Sequence, residues 1–388
     1  MTWSEWRRLL PLYAGGCLGP LAGSAMVTLI PALTGVFEVG VGVMALSLTV
    51  YMLPFSLAQL VSGAISESFT ARRTALIGFA VFSGASLACA LAPSIGVFLA
   101  ARLVQGLGAA FLFPILMALI GEVVAPERLG RAMGYLGVTQ TLGLTAGPLL
   151  AGLLETHADW RGFFVILAGL GGATAWGFAR LFHGEVAAEG PRGVLGILGR
   201  VLRQRAVLAL SLAGYAFFFA LIGAVTFMAD QLKVVHGLGE DRIGLLLAVA
   251  GVVGIPASPL AGHLVDRLGR RSTAVLGLAG VLASLLALLL VPYTFPRYLI
   301  VLAALGTGSA LAWTAFNTLS VELLPELRKP VASIYNAFRF FGYASSPPLL
   351  APLYGAGVAG VYLACLGATG LAILLLRGLP EPSRPRRG

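Results

Sequence analysis

The sequence predicts an all-α polytopic membrane protein, with twelve transmembrane helices in two pseudo-symmetric six-helix bundles. Three observations carry that expectation. Of the 388 residues, 58% are hydrophobic and only 11% are charged. That is too little charge to cover a water-soluble domain of this size. Apolar runs long enough to cross a bilayer follow one another along almost the whole chain. Such a run needs roughly 20 residues, because about 30 Å of hydrocarbon is crossed at 1.5 Å per residue. Finally, the second half repeats the first at an offset of roughly 200 residues. The 51 Gly and 21 Pro suit the same class: in membrane helices Gly permits close approach, and neighbouring groups satisfy the backbone freed at Pro.

In chain order, the expected spans of the first half are 9–34, 42–62, 74–92, 95–121, 132–154 and 161–181. Those of the second half are 206–229, 242–262, 273–291, 298–321, 332–354 and 357–377. The opening MTWSEWRRLLP lacks a small-residue cleavage site, so the first span is expected to be retained. Sidedness follows from the basic residues, which collect on cytoplasmic loops. With the N-terminus inside, 20 of the 26 Lys and Arg fall on the cytoplasmic side. Only Arg161, Lys233, Arg242 and Arg297 fall outside, and Arg102 and Arg339 lie within spans. Both termini are therefore expected in the cytoplasm, with the protein in the cell (inner) membrane.

The domain scheme that results is an N-terminal bundle (1–181), a cytoplasmic linker (182–205), a C-terminal bundle (206–377) and a cytoplasmic tail (378–388). The linker is expected to carry a short amphipathic helix at 194–205 lying on the headgroups. The repeat is visible residue by residue. GAISESFTARRTA at 63–75 corresponds to GHLVDRLGRRSTA at 262–274, and GPLLAGLL at 147–154 to PPLLAPLY at 347–354. A parallel repeat of this kind places a binding site between two bundles at mid-depth.

Several function classes are disfavoured. The net charge of +10 is spread in small groups between apolar runs, with no basic stripe to hold nucleic acid. Cys17, Cys89 and Cys365 lie far apart in apolar segments, which suggests neither a disulfide nor a metal framework. His157, His183, His236 and His263 fall in loops, and no H-E-x-x-H, Ser elbow or P-loop occurs. No enzyme, catalytic residue, metal site or cofactor is expected.

The motifs sit at span ends and inside spans. After the eighth span comes Gly262-His-Leu-Val-Asp266-Arg267-Leu-Gly269-Arg270-Arg271. Gly262 would let two helices approach, Gly269 would make a tight turn, and Asp266 would meet helix N-termini while the arginines anchor the chain. In the first-half copy Gly63, Glu67 and Arg72 keep their places, with Ser68 and Thr70 standing where the second half has Arg and Gly. Span four contains Arg102-Leu-Val-Gln105-Gly106-Leu-Gly108, where Gln105 shares the face of Arg102. This arginine either faces a wet cavity or partner, or snorkels to the outer surface. Span five carries Gly143, Gly147-Pro148 and Gly152, a kinkable or flat surface on which the helix can pivot.

Taken together, these segments resemble the major facilitator superfamily, and most closely its twelve-helix drug:proton antiporter branch. The resemblance implies a latch at the signature loop, in which Gly262, Asp266, Arg267, Gly269, Arg270 and Arg271 close the cytoplasmic side, with Gly63, Glu67 and Arg72 as the first-half counterpart. It implies a conformational hinge at Gly143, Gly147, Pro148 and Gly152. It also implies secondary active transport: proton-coupled efflux of small amphipathic compounds by alternating access. The expected partners are a small-molecule substrate, the proton and the lipid bilayer, and a monomer is expected.

The coupling group is harder to place. A proton carrier is normally a carboxylate inside a span, and none of the 16 Asp and Glu falls at the middle of one. Asp230, at the outer end of span seven, is the candidate nearest a cavity mouth. Arg339, with Asn336 near its face, either binds an anionic substrate or is structural. Trp313 and Asn317 are further candidates for the substrate site. If Arg102 and Arg339 both serve as charge partners, the alternative is a facilitator or symporter of a small organic anion.

Overall fold

The computed structural model describes residues 3–66, 71–110, 112–124, 126–181 and 199–379. Among these the chain is helical throughout. The helices are α1 (Trp3–Phe37), α2 (Val41–Ser66), α3 (Ala71–Ala90), α4 (Ile95–Ala110), α5 (Leu112–Val123), α6 (Pro126–His157) and α7 (Trp160–Leu181). After the linker come α8 (Arg205–Val234), α9 (Glu240–Leu268), α10 (Arg270–Leu290), α11 (Phe295–Glu322), α12 (Arg328–Tyr354) and α13 (Val358–Arg377). Every expected span except the fourth coincides with one of these helices. Ten are long and apolar enough to cross a membrane. The fourth expected span is shared between α4 and α5, of 16 and 12 residues. The eleventh lies on α12, a 27-residue helix carrying Asn336 and Arg339 that is not among the ten. The chain is an integral membrane protein.

The helices keep prolines that would break them in water. Pro11, Pro20 and Pro31 lie inside α1, and Pro347, Pro348 and Pro352 inside α12. Packed neighbours make this tolerable, since each freed carbonyl can find a donor on another helix. Short turns join the elements. Gly269 alone separates α9 from α10, at φ 95°; that left-handed conformation suits glycine and strains other residues. Asp159 caps α7, its Oδ1 accepting the Arg161 N–H at 2.6 Å. The Trp160 and Phe164 that follow pack on Phe98 of α4, with centroids 5.9 and 5.5 Å away.

The chain divides into two compact units. One comprises Met1–Arg192 with Met228–Ala248, the other Gly193–Phe227 with Val249–Gly388. In the first, α1 packs on α2, α5, α6 and α7, while α3 packs on α4 and α7. In the second, α10 packs on α11 and α13, and α12 on both of those helices.

The sequence repeat reappears as a repeat of contacts, each inside its own unit. Gly108 of α4 meets α3 at Gly78 and Phe82, where an added methyl would lie 2.9 Å from the Gly78 carbonyl and 2.6 Å from the Phe82 nitrogen. Gly308 of α11 meets α10 in the same way at Gly277 and Val281, at 2.8 and 2.9 Å. Gly106 abuts the Tyr51 carbonyl of α2, as Gly306 abuts the Ala250 carbonyl of α9. At one point the roles are exchanged. In the first half Gly147 faces Ser24 across α6 and α1, whereas in the second Gly223 of α8 faces Ser346 of α12. One small residue on either helix suffices for the close approach.

The expected headgroup-lying helix at 194–205 lies outside the described residues up to 198. From 199 on, the structure corrects that expectation: Val201 is fully buried with Val207, Val331 and Ile334, and Leu202 packs on this cluster. The apolar side of the segment is turned into protein, because the start of α12 and the corner before it offer a drier partner than the lipid interface.

Candidate functional site

Four helices converge on Arg102. It is the only charge on α4, and its side chain is fully buried. An arginine at membrane depth costs roughly 2.5–3.5 kcal/mol by insertion scales, so its surroundings must answer the charge. Its Nη1 donates to Gln105 Oε1 at 2.6 Å and to the Ala22 carbonyl of α1 at 3.3 Å. The guanidinium lies 4.1 Å from the centroid of the Tyr51 ring on α2. Gln105 passes the network on, its Nε2 donating to Ser86 Oγ of α3 at 2.7 Å, and Ser86 donates to the Phe82 carbonyl at 2.7 Å. Tyr51 is fixed in turn by its hydroxyl, which donates to the Gly19 carbonyl at 2.9 Å. Arg102 therefore does not snorkel; it ties α1, α2 and α4 together and reaches α3 through Gln105.

The Arg102 and Gln105 pairing was readable from their spacing. Tyr51 and Ser86 were not, because nothing local marks a residue that meets Arg102 from another helix. Gly106 provides the only hint, since its missing side chain lets the Tyr51 backbone come close.

The four predicted hinge residues divide between two partners, all within the first unit. Gly143 and Gly147 face α1, where an added methyl would lie 2.6 Å from the Cys17 carbonyl and 2.7 Å from the Leu21 carbonyl, respectively. Pro148 and Gly152 face the first turns of α9: the Pro148 carbonyl lies against Gly244, and Gly152 lies under the Glu240 backbone. Polar contacts join the same ends. The Asp241 N–H donates to Thr156 Oγ1 at 3.1 Å. Lys233 pairs with Glu240 at 2.9 Å, the Glu240 side chain being 6% exposed. Asp230, one turn before Lys233, is buried at the same end of α8.

At the signature loop the geometry is mixed. Asp266 and Arg267 are exposed. Arg270 is engaged within the second unit, gripping Glu322 at the end of α11 through Nε at 2.7 Å and Nη2 at 3.1 Å. Arg271 donates to the Leu379 carbonyl at 3.3 Å. An added methyl at Gly262 touches nothing within 4 Å among the described residues. Arg72 lies at the start of α3, half-buried. Gly63 lies on α2, and Glu67 lies outside the described residues. The two-pronged Arg270–Glu322 grip sets an expectation. Arg270→Ala should lower the melting temperature of the purified protein by roughly 2–4 °C. In scanning fluorimetry, Arg270→Ala with Glu322→Gln should cost no more than either change alone.

The second cation within a span lies in the other unit. Arg339 of α12 is half-buried, its guanidinium 4.5 Å from the Phe340 ring, 5.2 Å from Phe218 of α8 and 5.4 Å from Trp313 of α11. The Tyr335 hydroxyl, one turn earlier, interacts with it. The structure thus brings Trp313 and Arg339 together. Asn317 and Asn336 follow on the same faces of their helices, Asn317 exposed and Asn336 half-buried. Phe218 and Phe340 escaped the sequence reading, although the aromatic run YNAFRFFGY around Arg339 held a signal for Phe340.

A family model described as Major Facilitator Superfamily matches residues 12–347 and 231–388. Among curated proteins, the chain is 27% identical over 391 residues to "Multidrug resistance protein Stp" of Mycobacterium tuberculosis (strain CDC 1551 / Oshkosh), covering 86% of this chain and 71% of that protein. Among solved structures, a D-xylose-proton symporter superposes with a TM-score of 0.80 at 15% identity, over 98% of this chain and 99% of its own. The human organic anion transporter MFSD10 (TETRAN) does so at 0.72 and 16% identity, over 96% and 99%. At these identities the two structures speak to the fold alone.

Proposed function

The chain belongs to the Major Facilitator Superfamily of membrane transporters, and from that premise we propose that it exports small amphipathic or drug-like compounds in exchange for protons, by alternating access. The observation that carries the reading is the buried Arg102–Gln105–Ser86 network with Tyr51 as its ring partner. A charge held dry at membrane depth is costly and belongs where function needs it. The name of the M. tuberculosis relative, a multidrug resistance protein, supports the same kind of cargo.

In this scheme the two sequence repeats, 1–181 and 206–377, are the moving bundles, with the 182–205 linker and both termini on the cytoplasmic side of the inner membrane. The α6 spine at Gly143, Gly147, Pro148 and Gly152 is the surface on which the outer side opens and closes. Signature-loop residues Asp266, Arg267, Arg270 and Arg271 latch the inner side. Asp230 is the carboxylate we assign to proton exchange, being buried at the end of α8 beside the Lys233–Glu240 pair. A carboxylate inside a membrane-spanning helix is the kind of group that proton exchange normally uses.

The reading is tested in proteoliposomes, using a radiolabelled panel built on one aromatic body: naphthalene-2-carboxylate, its amide and its aminomethyl analogue. An imposed proton gradient should accelerate movement of at least one member about tenfold over protein-free vesicles. Flux indifferent to the gradient for all three would remove proton exchange from the scheme.

A further inference from the structure

The second unit holds a cation that no described carboxylate neutralises. Among the described residues no carboxylate pairs with Arg339, and its Nε is buried without an acceptor. Beside it, the indole Nε1 of Trp313 is likewise buried with no acceptor, though the ring lies only 5.4 Å from the guanidinium. Two buried N–H groups, the Nε of Arg339 and the Nε1 of Trp313, thus stand together inside membrane-embedded helices with no acceptor among the described residues. Buried donors in this condition destabilise a fold until an acceptor arrives. The surroundings indicate where it comes from. Asn317 is exposed one turn beyond Trp313, and Asn336 lies one turn before Arg339. Accessible amides at this depth belong on a wet side rather than against lipid. Around the donors, Phe218 and Phe340 form apolar walls.

We infer that Arg339 and the Trp313 indole N–H form a receptor for the carboxylate of an amphipathic monoanion, whose apolar body rests on Phe218 and Phe340. A planar guanidinium matches a carboxylate edge to edge, and the indole supplies a second, neutral donor. One cation balances one negative charge; a dianionic phosphate would stay half compensated in this setting. The aromatic walls take a hydrophobic body and offer nothing to a sugar-like one. The inference rests on the export reading, because it names the cargo's class for the same transporter.

Calorimetric titration of the purified full chain with the same naphthalene panel tests it. The wild type should bind the carboxylate at least about tenfold tighter than the amide. Arg339→Gln should abolish that preference, weakening the carboxylate far more than the amide, and Arg339→Lys should restore part of it. Trp313→Phe keeps an aromatic ring, removes the donor and should weaken carboxylate binding about threefold to tenfold and the amide less. That variant carries the test if Arg339→Gln aggregates. Equal affinities for carboxylate and amide in the wild type overturn the receptor, as does a preference that survives Arg339→Gln. Equal weakening of both ligands by Trp313→Phe, or no binding of any of the three to folded wild type, also overturns it. The two readings fail separately. A carboxylate preference without gradient-driven flux removes proton-coupled export and keeps the receptor; gradient-driven flux of amide and amine without that preference removes the receptor alone.

Discussion

Arg102→Ala should leave the protein inserted in the membrane and reduce gradient-driven transport by about 100-fold, as measured in proteoliposomes at matched protein density. The magnitude follows from the contacts that disappear. The variant loses a charged hydrogen bond to Gln105, one to the Ala22 carbonyl and the contact with the Tyr51 ring. A hydrogen bond to a charged group is worth about 1.5–3 kcal/mol, and about 1.4 kcal/mol corresponds to a factor of ten in a population. Arg102→Lys should recover only part of the activity, since an ammonium is a compact point charge without the planar face that lies over Tyr51. Insertion should persist, because the apolar runs that drive it are untouched, and removal of a charge from α4 favours it. Normal flux in Arg102→Ala would reduce the network to a structural clamp.

Gly106→Ala should be a severely damaging single-methyl change, leaving less than about half of the protein monodisperse after extraction. The new carbon would meet the carbonyl of Tyr51, with the Tyr51 Cα at 3.0 Å. These are backbone atoms, so α2 and α4 must separate rather than a side chain turn aside. Overpacking of this kind typically costs about 1–3 kcal/mol and sometimes more. The displacement also carries the Tyr51 ring away from Arg102, so the surviving protein should transport poorly as well. Gly84→Ala is the control, as its added methyl meets nothing within 4 Å. Size-exclusion profiles of the two variants check the prediction, and indistinguishable profiles would mean that the α2–α4 contact has slack.

The difference between these two sites shows what can be read from a sequence like this one. Gly106 and Gly84 look alike in the chain, each a glycine in an apolar run. Only the neighbour decides that one is indispensable. In the same way Arg102 and Gln105 could be paired by helical spacing, but Tyr51 and Ser86 could not. Helices that pass through lipid are apolar on nearly every face, so the polar-outside pattern that orients a soluble helix is lost. Trp313 and Arg339 were singled out separately, each as a polar group within a span; that their side chains meet became visible only in the fold.

The sequence by itself determined where the helices run and that they are membrane-embedded. Those properties are local: a bilayer tests each run of roughly 20 residues for apolarity, and the repeat could be aligned from its turns. Tertiary structure decided which groups meet: α1, α2 and α3 around the α4 arginine, α8 and α11 around the α12 arginine, and Val201 folded into protein rather than laid on lipid. Those meetings join residues scattered along the chain. They are set by which face each helix turns inward, a choice made by small residues and backbone contacts that only the packed structure reveals.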